Sequence, residues 1–96
     1  MTTTFTYDGA PMPLDYREAH TAHRYHTSNV TAWELLARLG MRPAWEGRIA
    51  TRHVLAVCVV ALGRRRLAKY QRERLQRLLR VANTAAVAGA EDIVFG

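Results

Sequence analysis

The run "HVLAVCVVAL", His53 to Leu62, constrains this chain more than any other stretch. Nine consecutive residues from Val54 to Leu62 are apolar, and residues 48–90 contain no proline and no glycine before Gly89 except Gly63. A segment greasy on every side has to be covered on every side. Its four valines suit a buried strand, whereas its length of uninterrupted chain suits a core helix, and periodicity alone does not separate the two. The alternation of small alanines with larger side chains, and the lack of turn residues on either flank, favour a central buried helix. Nine residues are about half a bilayer span, so the run predicts a core element and not a membrane crossing.

Immediately after it comes "GRRRLAKYQRERLQRLLR", Gly63 to Arg80, with eight basic residues and one acid in eighteen positions. On a helical wheel Leu67, Ala68, Leu75, Leu78, Leu79, Ala82, Ala85 and Ala86 form one apolar stripe. Arg65, Arg66, Lys69, Arg72, Arg77 and Arg80 fall outside it, and Arg74 sits at one border. The pattern predicts an amphipathic helix over 64–88 whose stripe packs on the Val54–Leu62 helix and whose guanidinium groups face water. Gly63 ends, hinges or kinks the junction.

The first half of the chain is less regular. "TTFTYDG" places Phe5 and Tyr7 on one face of a strand, and Asp8-Gly9 is a turn signal. Pro11 and Pro13 deny a return arm its ladder donors, so a short strand and turn or an extended arm is expected over 1–14. Asp15 with Glu18 has the form of a reciprocally capped helix start, with Tyr16, Ala19 and His23 on one face. Thr31 with Glu34 repeats that form in "TAWELLARLG". There Trp33, Leu36 and Leu39, or Leu35 and Leu39, make the apolar side, and Gly40 stands where a left-handed stop belongs. Pro43 opens the following helix as its first residue. The C-terminal "DIVFG" either forms a strand beside Phe5 and Tyr7, docks elsewhere or stays unanchored. The expected fold is mainly α: one helical domain over 15–96, a small bundle of three to four helices, preceded by a short extended or hairpin N-terminal segment.

Charge is unevenly divided. Residues 1–47 carry four Arg against five acids, whereas residues 48–96 carry ten basic residues against three acids within an overall +6. Thirteen of the fourteen basic residues are Arg; a GC-rich coding sequence accounts for that ratio, but not for the clustering. Arg presents a planar fork matched to phosphates and carboxylates. A cationic half of this kind favours an anionic partner, nucleic acid ahead of acidic protein or lipid. Tyr70 is the only aromatic beside the cluster, which gives little support to base stacking on single strands. The apolar stripe has no Trp or Phe anchor and a ready partner helix, so no membrane association is expected.

"VTAWELLARLGMRPAWEGRI" resembles a helix-turn-helix: a capped short helix, Leu39-Gly40-Met41 at the turn, then a second helix bearing basic residues. The resemblance implies Arg42, Ala44, Trp45, Arg48 and Arg52 facing a groove. Leu36 is larger than the close crossing prefers, Glu46 occupies a core position, and Gly47 weakens the second helix.

Catalysis has no visible basis. No phosphate-binding glycine loop or nucleophile elbow occurs, and the acids are scattered singly. Cys58, the only cysteine, lies inside the apolar run and reads as a buried, inert thiol. His20, His23 and His26 step by three and drift round a helix, so a shared metal ion is not expected; His53 reads as a satisfied core histidine. No cofactor or metal is called for. The leading expectation is a non-catalytic, cytoplasmic DNA-binding or DNA-associated accessory protein. It would use Arg65, Arg66, Lys69, Arg72, Arg77 and Arg80 for phosphates, with Arg42, Arg48 and Arg52 adding base contacts through the helix-turn-helix. The alternative is a protein–protein module (an inhibitor, antitoxin-like or assembly factor of a phage or mobile element) gripping an acidic protein surface. Either way the apolar helix calls for a homodimer or hetero-complex.

Overall fold

The alternation in "TTTFTY" is what organises the sheet. Thr3, Phe5 and Tyr7 are buried while their neighbours are less so, the period-two signature of a strand with one face on a core. In the computed structural model, which describes residues 1–11 and 22–96, this segment is β1 (Thr2–Thr6). It is followed by β2 (Tyr25–Ser28), α1 (Asn29–Arg38), β3 (Gly47–Ala50), α2 (Thr51–Leu62), α3 (Lys69–Val87) and β4 (Asp92–Phe95). The strands form one antiparallel sheet in the order β2-β1-β4-β3.

The expected mainly α bundle is therefore corrected: the described residues give a mixed α/β fold, 48% helix and 20% strand. Of the two expectations for the N-terminal segment, the short strand and not the extended arm is found, and it is an inner strand of the sheet. "DIVF" closes beside it, with Phe5 opposite Phe95 and Thr6 opposite Val94. "GRIA", read as part of a second helix, is edge strand β3, pairing Gly47 with Phe95 and Ile49 with Ile93. The start of the helix expected from Asp15 lies outside the described residues, as does His20; its expected far end is no helix, since His23 lies in a turn and His26 on β2.

The inner face carries an aromatic row. Phe5 lies 6.2 Å from Tyr25 and 5.9 Å from Phe95, ring centre to ring centre. Gly47 ends this row, and here the missing side chain matters: a Cβ on Gly47 would stand 2.8 Å from Phe95 Cζ. α1 lies against β1 and β2, and α3 crosses β1, β2 and β4. Leu35, Leu36, Leu75, Leu78, Val81 and Ile93 join the aromatic row in a single core.

The helix ends follow local chemistry. Ser28 caps α1, its Oγ accepting from the Thr31 N–H at 3.2 Å. Gly40, at φ +79°, closes the helix: its N–H donates to Ala37 O and that of Met41 to Leu36 O, the paired bonds of a left-handed glycine stop. Gly89 ends α3 in the same way.

α2 departs most from expectation. It is not the central rod. Thr51, Val54, Cys58 and Ala61 are buried, but Val59 and Val60 are 60% and 63% exposed. The helix packs chiefly on α3, while the sheet supplies the aromatic side chains that fill the middle.

Candidate nucleic-acid interface

The amphipathic helix begins later than its pattern implies. Residues 64–68 form a turn, and α3 starts at Lys69. Gln71 Oε1 accepts from the Ala68 N–H at 3.2 Å, which satisfies one donor at this helix start. Leu67 packs against the core edge, so the five-residue turn is anchored near its end and leaves Arg64, Arg65 and Arg66 exposed.

Arg72 fixes the other side of that turn. Gly63 ends α2 at φ −76°, without a left-handed stop, so the last carbonyls of α2 need another donor. Arg72 provides it: Nη1 donates to Leu62 O at 3.0 Å and Nη2 to Arg64 O at 3.2 Å. The residue is only partly exposed, and its fork is committed to backbone oxygens rather than held out to a ligand.

The remaining cations divide by partner. Arg74 bonds Glu34 at 2.8 Å and lies over the Tyr70 ring. Arg48 bonds Asp8 at 2.8 Å and approaches Asp92 at 4.0 Å; the Asp8 hydrogen bond and charge raise its pKa further above the ordinary Arg value. Arg24 donates to the carbonyls of Pro11 and Ala10. Among the described residues, Arg38, Arg42, Arg52, Arg64, Arg65, Arg66, Lys69, Arg77 and Arg80 are all exposed, and none makes an ion pair.

The sequence-derived set is thus brought together only in part. Arg65, Arg66 and Lys69 share the α2–α3 turn and the first turn of α3. Arg77 and Arg80 lie farther along α3, about 12–16 Å of helix rise beyond Lys69. Arg72 points to carbonyls and Arg48 to carboxylates. The helix-turn-helix does not form, because Gly47–Ala50 is a strand and α2 begins only at Thr51. Arg42 lies in the connector, Arg48 on β3 and Arg52 in the first turn of α2, so no recognition helix gathers them. Trp45 stacks edge-on against Trp33 at 5.5 Å. Sequence reasoning passed over Arg64 and Arg38. Arg64 was legible as the first member of "RRR"; Arg38 gave no signal, since its nearness to α2 is tertiary.

Cys58 is fully buried, and burial pushes its thiol up to about 11, as its apolar setting led us to expect. His53 is exposed rather than core, with Nε2 2.8 Å from Leu39 O; a carbonyl only accepts, so Nε2 carries the hydrogen. Between β1 and β2 His26 Nδ1 meets Thr4 Oγ1, and just beyond the strand ends His23 Nδ1 meets Tyr7 Oη, both at 2.7 Å. No three metal-binding side chains converge among the described residues. No described helix is long and apolar enough to cross a membrane.

Comparison with protein-family models, with curated proteins and with solved structures found no match to this chain.

Proposed function

We propose that the protein is a non-catalytic accessory protein that binds the phosphate backbone of duplex DNA through the α2–α3 turn. The observation that carries this reading is the grouping of Arg64, Arg65, Arg66 and Lys69. Four cations within six residues stand exposed on a turn held by Arg72 and on the first residue of α3, and no described carboxylate pairs with any of them. Clustered, unpaired guanidinium groups attract a polyanion and release its counterions on contact. With Arg42, Arg48 and Arg52 not gathered on one described recognition helix, the contact is to backbone and indifferent to base sequence.

Duplex retardation and fluorescence anisotropy test this directly. The wild type is expected to bind unrelated duplexes alike, with a slope of log affinity against log salt of roughly −3.6 if four phosphates are neutralised. Replacing Arg64, Arg65, Arg66 and Lys69 by Ala should abolish binding without shifting the melting temperature. Undiminished binding by that variant refutes the assignment.

A further inference from the structure

A second surface lies on the outer side of α2, where the chain leaves apolar side chains uncovered. Ala56 and Val60 are exposed, and with Val57 they floor a shallow depression of about 580 Å³ between α2 and the C-terminal end of α1. Its rim is cationic: Arg38 comes from α1 and Arg64 from the turn after α2, with His53 of the first turn of α2 also in the lining. No carboxylate lines it. His53 is oriented by its Nε2–H, which donates to Leu39 O. The floor thus asks for aliphatic side chains and the rim for acids.

We infer that this depression docks an acidic amphipathic helix of a partner protein, its aliphatic residues seated on Val57 and Val60 and its carboxylates on Arg38 and Arg64. Charge complementarity selects that occupant. A second copy of this chain meeting through the same face would set the two guanidinium rims against each other, with no carboxylate in the lining to compensate. A flat lipid surface would meet Val59 and Val60 but would leave a concave floor unfilled. An apolar groove edged by charge of one sign is the usual receptor for an oppositely charged amphipathic helix, the apolar contact giving affinity and the charges giving selection. This contact is separate from the DNA reading: the two surfaces share only Arg64, so either can fail alone.

The probe is a synthetic amphipathic helix with leucines at i, i+4 and i+7 and glutamates beside them, compared with the same helix carrying lysines. By fluorescence anisotropy the full chain should bind the glutamate helix and ignore the lysine helix. Val60→Asp and Arg38→Glu, both at exposed positions, should each weaken binding about tenfold or more. Duplex retardation and the melting temperature should remain as in the wild type. Arg65→Ala should do the reverse, weakening DNA binding and sparing the peptide. No binding of the glutamate helix, equal binding of both helices, or indifference to both variants overturns the proposal. Two other results overturn it in favour of another occupant. One is a concentration-dependent dimer in sedimentation that Val60→Asp dissociates. The other is retention on phosphatidylglycerol-containing vesicles that Val60→Asp abolishes.

Discussion

Arg72→Ala separates a structural arginine from a phosphate-binding one. By sequence Arg72 belongs with Arg65, Arg66 and Lys69; in the fold it donates to Leu62 O at 3.0 Å and Arg64 O at 3.2 Å. Hydrogen bonds from a charged donor are worth about 1.5–3 kcal/mol each when well shielded and less when water competes. One of these bonds is partly buried and the other exposed, so the pair together contributes about 1–2 kcal/mol. Alanine returns a few tenths through its helix propensity. For a chain of this length the net loss lowers the melting temperature by roughly 5–12 °C.

Thermal unfolding followed by far-ultraviolet circular dichroism reads this directly, with Arg77→Ala as the exposed control expected to shift by no more than about 2 °C. The loss should persist at high salt, since the acceptors are neutral carbonyls. Arg72→Lys should recover only part of it, because a single ammonium does not reproduce the two-pronged geometry. DNA binding by Arg72→Ala should fall only modestly and keep the wild-type salt slope, because the turn loosens but no phosphate contact is removed. An unchanged melting temperature, together with a salt slope shallower by about one, would refute the reasoning and return Arg72 to the binding surface.

Two further outcomes follow from the core. Gly47→Ala forces a Cβ to 2.8 Å from Phe95 Cζ and should cost about 1–3 kcal/mol by overpacking; Phe95→Leu should relieve much of that clash, and denaturant titration of the double-mutant cycle showing simple additivity would exclude the contact. Cys58 should resist a thiol reagent at mildly alkaline pH until the chain unfolds. Its thiol is raised from 9.0 to about 11, so the folded state keeps a proton that the unfolded state releases. The associated stability is complete below about pH 9 and declines as pH rises toward 11; melting temperatures that climb over that interval would contradict the burial.

How much of this was legible depended on element length and on punctuation. α1 announced itself through its leucines and Gly40, although its cap is Ser28 and the expected cap Thr31 lies inside the helix, and α3 showed in the spacing of Leu75, Leu78, Ala82 and Ala85. The sheet did not. Its strands are four or five residues long, too short for period two to stand out. Gly47–Ala50 also runs into α2 with no proline or glycine between them, so the helical pattern after Thr51 read backwards into the strand. The turn at 64–68 was hidden for the opposite reason: Arg, Leu and Ala are good helix formers, and only tertiary placement of Leu67 and Arg72 bends the chain there. The same blindness affects the cations. Spacing ranked Arg48, Arg72 and Arg65 alike, because their partners lie 40 residues away at Asp8, across the turn at Leu62 and Arg64, and nowhere among the described residues, respectively.

The apolar run shows where a sequence rule meets its boundary. That nine consecutive apolar residues need covering is sound chemistry; that the same chain must do the covering is an added assumption. Here the aromatic row from β1, β2 and β4 occupies the centre, and α2, half of whose residues are Ala or Val, is left packed on α3 with Val59 and Val60 in water. A lone exposed valine is ordinary. Val60 beside Ala56 and Val57, in a depression rimmed by Arg38 and Arg64, is a different matter, because removing it from water stabilises a complex while the rim decides which complex forms. The demand for burial written in the run is thus met on one side by α3, and on the other it is left for the proposed acidic amphipathic helix, whose surface would be greasy in the middle and negative at its margins.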